Sequence, residues 1–151
     1  MISLSRRLLT ASALVFGLGF AASAQAADIE LRFYYPVAVG GPITKIIDEY
    51  AAGFEKENPG IKIKPVYAGD YVQTIGKALT AVKGGDAPEL AILLAADITS
   101  LVDEDAVVPV DDVIKTPADK AWVEGFYPAF MENAKLKGKT YAIPFLSLIH
   151  I

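Results

Sequence analysis

Residues 33–42 read Phe-Tyr-Tyr-Pro-Val-Ala-Val-Gly-Gly-Pro, and this stretch decides how the chain folds. An alternating segment ends at Pro36, and a Gly-Gly-Pro corner then begins a helix, which is the pattern of a turn between a strand and a helix. The first N–H groups of a helix have no partner within it, so such a turn can bind an anion or a hydroxyl-rich ligand beside its aromatic rings. We expect the rest of the mature chain to build further turns of this kind.

Three segments near this corner have strand patterns. Residues 29–35 and 61–67 alternate with a period of two, and Pro65 favours a sheet edge for the second because proline cannot donate to a strand ladder. Residues 90–94 form an unbroken apolar run, which is typical of a strand covered on both faces.

Helical patterns follow these strands. Apolar residues recur at helical spacing from Pro42 to Phe54, and Asn58-Pro59-Gly60 ends that helix. Asp70 is a good N-cap for a second helix that closes at Gly84-Gly85, and Asp97 is expected to cap a short third one. The alternation predicts an α/β fold with a mostly parallel sheet, strand order 2-1-3, right-handed crossovers and flanking helices.

Ligands of such sheets bind beyond the carboxyl ends of the strands, where the winding reverses. The turns at residues 35–41, 67–71 and 95–97 are therefore expected to meet there. Further along, residues 107–112 predict an extended piece, and Thr116 to Asp119 opens a helix with Trp122, Phe126, Phe130 and Met131 near one face. Residues 134–145 predict a hairpin around Lys137-Gly138-Lys139.

The N-terminus has the features of a cleaved export signal. Arg6 and Arg7 precede an uncharged apolar run over residues 8–22, and small residues allow cleavage after Ala26. We prefer this to a membrane anchor because a span needs about 20 apolar residues. The two arginines also loosely match a twin-arginine signal, and either export route predicts a periplasmic protein.

Charge and cysteine content exclude several classes of protein. Removing Arg6 and Arg7 takes the formal net charge from −4 to −6, which argues against a nucleic-acid or anionic-membrane surface. The sequence has no cysteine, so a disulfide framework and a lipid-anchoring cysteine are both excluded. We expect a monomer, free in the periplasm, with no cofactor and no bound metal.

The order of several motifs resembles that of the extracellular solute-binding proteins of ABC importers. These motifs are Phe54-Glu55-Lys56-Glu57-Asn58-Pro59-Gly60-Ile61-Lys62-Ile63, Tyr67-Ala68-Gly69-Asp70-Tyr71, Gly85-Asp86-Ala87-Pro88-Glu89-Leu90, Val108-Pro109-Val110-Asp111-Asp112, and Gly138-Lys139-Thr140-Tyr141-Ala142-Ile143-Pro144-Phe145. Within the family, the chain is most similar to the sn-glycerol-3-phosphate-binding group. The resemblance implies a type II periplasmic-binding-protein lobe, a small-molecule ligand (a glycerol phosphate or a sugar), and an ABC permease as partner.

The chain departs from the family pattern in two places. Ala95 and Ala96 stand where the glycerol-phosphate binders carry an acidic ligand contact, with Asp97 slightly later. Residues 146–151 read Leu-Ser-Leu-Ile-His-Ile in place of a polar segment that crosses to the second lobe. We therefore expect a signal peptide over residues 1–26, an incomplete N-terminal lobe over 27–145, and an aberrant tail over 146–151.

Five residues are candidate ligand contacts: Tyr71, Tyr35, Asp97, Gly41 and Asp70. The resemblance implies the contact for Tyr71, with packing against the preceding turn as the alternative. Tyr35 either stacks on a ligand or continues a buried strand face. Asp70 and Asp97 are ligand groups or helix caps, and Gly41 either admits a close phosphate or serves the tight corner alone.

No catalytic residues are predicted, and an exported hydrolase acting on sugars or phosphoesters is the rival interpretation. Against it, the sequence has no cysteine, no nucleophile-elbow motif, and a single histidine, His150, in the tail. Tyr34 and Tyr35 loosely match the tyrosine pairs of ferric-ion binders, but the only histidine that could join them lies in the tail. Asp103-Glu104-Asp105 is interpreted as a solvated acidic corner, because it lacks the regular ligand spacing of a metal-binding loop. Trp122 is interpreted as structural.

Overall fold

The computed structural model describes residues 28–36 and 42–145. Three predictions lie outside these residues: the export signal, the part of the first strand-end turn that contains Gly41, and the tail after Phe145. Within them, the elements follow the predicted alternation of strand and helix as far as the third strand.

A parallel sheet of order 2-1-3 confirms the predicted topology. Strand β1 (Ile29–Pro36) lies at its centre and pairs along its length with β2 (Ile61–Gly69), with Ile29 opposite Ile61 and Tyr35 opposite Tyr67. The register shifts after Tyr35, so that Pro36 lies opposite Gly69. On its other side β1 pairs in parallel with β3 (Leu90–Ala91).

Two long helices flank this sheet. Helix α1 (Ile43–Glu57) begins after Pro42 and ends at Asn58, and it buries Ile47 and Ala51 from its predicted apolar stripe. Helix α2 (Tyr71–Lys83) begins after Asp70, buries Thr74 and Ala78, and contacts both β1 and β2. Both helices end where their glycine and asparagine signals predicted.

The third strand is shorter and more open than its apolar run predicted. Hydrogen bonding to β1 ends with the N–H of Ile92 and the carbonyl of Tyr34, 2.9 Å apart, and the side chain of Leu90 is 51% exposed. The prediction of a strand covered on both faces is therefore wrong for the described residues. β3 is an edge strand here, and an apolar run becomes buried only where a neighbouring element covers it.

Short helices and a hairpin follow β3. A 3-10 turn (Ala95–Asp97) leads into α3 (Ile98–Asp103), and three further helices are α4 (Val110–Val113), α5 (Pro117–Glu124) and α6 (Pro128–Glu132). Strands β4 (Lys135–Leu136) and β5 (Lys139–Thr140) are antiparallel, which confirms the hairpin. Its turn residues, Lys137 and Gly138, have φ values of 50° and 80°, as a type I′ turn requires.

Two predictions for this region are wrong in detail. Part of the expected extended piece over residues 107–112 is helical, because α4 begins directly after Pro109. The helix predicted to reach Met131 is divided, since α5 ends at Gly125 and Pro128 begins α6. Proline is favoured in the first turn of a helix and breaks a helix that continues through it.

Candidate functional site

The carboxyl ends of the three parallel strands lie at one edge of the sheet. The turn after β2 and the segment after β3 therefore leave the sheet on either side of β1, as the strand order predicted. The third turn, after β1, falls in residues 37–41, outside the described residues, so the position of Gly41 as a ligand contact stays a prediction.

The turn from β2 to α2 is held by hydrogen bonds of its own. The Asp70 carboxylate accepts from the N–H of Gln73 (2.7 Å), and the Gln73 side-chain oxygen accepts from the N–H of Asp70 (3.1 Å). The fully buried Thr74 hydroxyl donates to the carbonyl of Asp70 (2.7 Å). This capping box confirms Asp70 as the N-cap of α2, and its role as a ligand contact stays a prediction.

Tyr71 is the first residue of α2 and is half-buried at the carboxyl edge of the sheet. The Asp70 carboxylate caps the third N–H group of the helix, that of Gln73. The first two N–H groups, of Tyr71 and Val72, point toward the turn and have no partner within the helix. Val72 is 77% exposed, so this end of the helix is open to solvent. The helix start therefore combines a phenol, two N–H donors and the positive end of a helix dipole.

Tyr35 is buried, with 3% of its surface exposed. Its ring lies 6.3 Å from the ring of Phe33 and 6.1 Å from that of Tyr67, measured between centroids. This placement favours the buried-face interpretation over a ligand contact. Tyr67, directly opposite on β2, is 48% exposed and is the aromatic residue that this edge presents. The period-two alternation placed it at the end of β2, but nothing in the sequence ranked it above Tyr35.

Asp97 directly precedes α3, at the predicted N-cap position, but its side chain makes no capping hydrogen bond to that helix. Its carboxylate instead accepts from the N–H of Leu94 (3.2 Å), while its own N–H donates to the carbonyl of Leu94 (3.0 Å). These two bonds close the 3-10 turn on itself. Asp97 stands at the N-cap position of α3, but its carboxylate bonds back to Leu94 within the 3-10 turn and not forward to the helix.

Charged groups outside the strand-end turns link neighbouring elements, and no sequence pattern predicted these contacts. Arg32 on β1 contacts both Asp86 and Glu89, 54 and 57 positions away in the sequence. The Arg32 N–H and guanidinium hold the pKa of Glu89 below its ordinary value. In the same way, the N–H of Ile63 and the Lys62 ammonium lower the pKa of Glu55.

A depression of about 400 Å³ lies between α4 and α5, lined by Asp111, Ile114, Lys120, Val123 and Glu124. None of the four described candidate residues lines it, so it is not the strand-end site. Over residues 28–36 and 42–145, no group of three or more acidic or histidine side chains is arranged to hold a metal ion. The helices in this part of the chain are too short or too polar to cross a membrane.

A parallel sheet of order 2-1-3 with a helix start at its carboxyl edge is the lobe architecture of a periplasmic-binding protein. The sequence profile of the family described as bacterial extracellular solute-binding protein matches residues 49–149. The chain belongs to this family.

Relatives and solved structures agree with that assignment. The sn-glycerol-3-phosphate-binding periplasmic protein UgpB of Escherichia coli O1:K1 is 35% identical over 106 residues, which are 70% of this chain and 24% of UgpB. The structure of CpMnBP1 with mannotriose bound is 28% identical, with a TM-score of 0.64 over 78% of this chain and 28% of that one. The maltose/maltodextrin-binding domain MalE of Bdellovibrio bacteriovorus, bound to maltotriose, shares the fold at 23% identity, a TM-score of 0.63, and coverage of 75% and 27%.

The chain thus spans about a quarter of the length of the relatives it matches. The family match over residues 49–149 includes every motif that carries the resemblance. The structure shows how two of these motifs contact each other. The carboxylate of Asp111, in the motif over residues 108–112, accepts a hydrogen bond from the N–H of Thr140, in the motif over residues 138–145 (2.7 Å). This bond joins α4 to the hairpin.

Proposed function

We propose that this chain is the N-terminal lobe of a periplasmic solute-binding protein of an ABC importer, and that it captures a glycerol phosphate, a glycerophosphodiester or a sugar. The observation that carries the proposal is the start of α2, where Tyr71 and two N–H groups without an intrahelical partner lie at the carboxyl edge of a parallel sheet. Similarity to UgpB supports a phosphate ester, and similarity to CpMnBP1 supports a sugar.

The chemistry of this edge suits both kinds of ligand. The N–H groups of Tyr71 and Val72, at the positive end of α2, would bind a phosphate oxygen or a sugar hydroxyl. The exposed ring of Tyr67 would cover the C–H face of a glycerol or sugar backbone. The Tyr71 hydroxyl would add a polar contact that fixes the orientation of the ligand.

In the proposed transport cycle, this lobe forms one wall of a cleft, and hinge closure against a second lobe traps the ligand for delivery to a membrane permease. The protein would be exported by its N-terminal signal and act as a periplasmic monomer without a cofactor. No bond is made or broken, so the cycle needs no catalytic group.

Isothermal titration calorimetry with glycerol-3-phosphate and with mannotriose tests the proposal. We expect weak binding, with a dissociation constant of about millimolar, because one wall of a cleft buries less of a ligand than two. Tyr71→Ala should weaken the bound ligand's affinity by about tenfold, the loss of one good polar and aromatic contact. Tyr127→Ala removes a tyrosine that directly precedes α6 and is 76% exposed, and it is the matched control.

Three results would contradict the proposal. The first is an equal loss of affinity in both tyrosine variants, and the second is tight binding by this single lobe. The third is turnover of a chromogenic glycoside or phosphoester, which would favour the rival class, an exported hydrolase.

A further inference from the structure

A fork of hydrogen bonds from Arg32 holds the segment between α2 and β3. The Arg32 N–H donates to the Glu89 carboxylate (2.6 Å), and the guanidinium donates to the same carboxylate (3.3 Å) and to that of Asp86 (2.6 Å). The guanidinium also donates to the carbonyls of Asp86 (3.2 Å) and Ala87. A single side chain of β1 therefore binds three of the four residues over 86–89.

The fork lies where the register of β3 is decided. Glu89 directly precedes Leu90, and Arg32 directly precedes Phe33, the residue that Leu90 pairs with. The ladder between β1 and β3 has two residue pairs, and an edge strand this short has little to fix its register. A slip by one residue would turn every side chain of β3 to the opposite face.

β3 leads within three residues to Leu94, where the 3-10 turn closed by Asp97 begins. The position of that turn at the carboxyl edge therefore depends on the register of β3. We propose that Arg32 is a positioning residue, which fixes the Ala95–Asp97 turn at the carboxyl edge of the sheet by locking β3 through Asp86 and Glu89. The inference rests on the proposed function for its purpose, but its structural content is separate from it.

Arginine suits this task and lysine does not. The guanidinium is planar and carries five N–H donors in a fixed fork, so it can bind two carboxylates and two carbonyls at once. A lysine ammonium has the same charge but three donors at one point. Arg32→Lys should therefore keep the positive charge at position 32 but no longer fix the register of β3 against β1.

The chain contains a matched control of the same construction. Glu55 on α1 accepts from a backbone N–H, that of Ile63 (2.8 Å), and from a cation, Lys62 (3.0 Å). This contact joins α1 to β2 and does not touch β3. Glu55→Gln and Glu89→Gln each remove one negative charge from a carboxylate that is bound by a backbone N–H and a cationic side chain. The first change affects the contact between α1 and β2, and the second affects the contact between Arg32 and the segment before β3.

The test is amide NMR of the protein, expressed from its whole sequence and purified as the cell processes it. In Glu89→Gln and Arg32→Lys, we expect the Leu94 and Asp97 amides to shift, because their turn loses its fixed position. The Ile92 amide, which donates to the Tyr34 carbonyl across the ladder (2.9 Å), should exchange with solvent at least about tenfold faster. In Glu55→Gln those amides should stay unchanged, although melting temperature falls by a similar amount. Glu89→Gln is the milder variant and keeps the test open if Arg32→Lys does not fold.

Unchanged Leu94 and Asp97 amides in Glu89→Gln would overturn the inference, and so would equal changes in Glu55→Gln, since the fork would then act on stability alone. Titration with glycerol-3-phosphate separates this from the proposed function. If the unaltered protein shows no response to glycerol-3-phosphate or mannotriose, the proposed function fails, while the ligand-free amides still decide the role of Arg32.

Discussion

The geometry of the turn from β2 to α2 depends on glycine at position 69. Gly69 has a φ of 109°, and a Cβ added there would lie 2.1 Å from the side-chain oxygen of Gln73. That oxygen belongs to the capping box, so the turn needs glycine both for its backbone angle and for the space beside Gln73. The sequence identified the cap, because Asp70 directly precedes a helical apolar stripe, but it could not show this close approach.

Substituting two glycines of the same backbone class should separate these two needs. Gly69→Ala should lower the free energy of unfolding by about 2–3 kcal/mol, since it combines left-handed strain with displacement of Gln73. Gly60→Ala has a similar φ, 94°, and open space around its added Cβ, so about 1 kcal/mol is expected from strain alone. Urea denaturation measures both, and equal losses would contradict the role given to Gln73.

The Asp70 cap should affect ligand binding as well as stability. Asp70→Ala should cost about 1 kcal/mol of unfolding free energy, and it should also weaken the response to glycerol-3-phosphate by freeing the start of α2. Thr116 caps α5 through the N–H of Asp119 (3.1 Å), far along the chain from the strand-end turns. Thr116→Ala should cost a similar amount and leave binding unchanged; loss of binding in both variants would show a purely global effect.

Among the helices and strands, those predicted correctly are the ones that short-range sequence signals specify. Period-two alternation, capping residues and stop signals identified β1, β2, α1, α2 and the hairpin. Contacts between distant residues decided the rest: Arg32 reaches Glu89 across 57 positions, and no spacing rule pairs two such residues. The buried third strand was mispredicted for the same reason, because burial depends on neighbours that an apolar run does not specify.

The two carboxylates that join elements make stability depend on pH. The folded-state pKa of Glu89 is lowered mainly by the Arg32 N–H, and that of Glu55 mainly by the Ile63 N–H, from an ordinary value of 4.5. A group whose pKa is lower when folded stabilises the protein above its unfolded pKa and loses that contribution as pH falls through the folded pKa.

We therefore expect the melting temperature to fall as pH is lowered below about 4.5. The double variant Glu55→Gln/Glu89→Gln should be less stable at pH 7 and show a flatter decline over the same interval. Thermal unfolding followed by circular dichroism from pH 7 to pH 3 measures this. A decline of the same steepness in both proteins would contradict the assignment to these two groups.

At the scale of the whole molecule, the described surface carries large apolar side chains that its own core does not cover. Tyr50 is 65% exposed on α1, and Trp122 is 59% exposed on α5. Both residues lie on helix faces that apolar periodicity predicted, but the described part of the chain leaves both largely exposed. Sequence periodicity alone assigns such faces to a core, and the chain spans about a quarter of the length of the relatives it matches.

The arrangement of the strand-end turns was therefore predictable, but the burial and contacts of their side chains were not. Strand order predicted the edge at which these turns leave the sheet, and Tyr71 as a ligand contact stays a prediction from the family resemblance. Burial then favoured Tyr67 over Tyr35 as the exposed aromatic ring, and the position of Asp97 became that of a residue closing its own turn. The first outcome follows from which side chains meet across strands, and the second from a hydrogen bond to the N–H of Leu94 that the helical pattern did not specify.

Mapping of amide chemical shifts during titration with glycerol-3-phosphate shows whether this edge of the sheet binds a ligand. We expect saturable shifts concentrated at Tyr67, at the N–H groups of Tyr71 and Val72, and at the Ala95–Asp97 turn. Shifts confined to the depression between α4 and α5, or no saturable shifts with either glycerol-3-phosphate or mannotriose, would contradict this expectation.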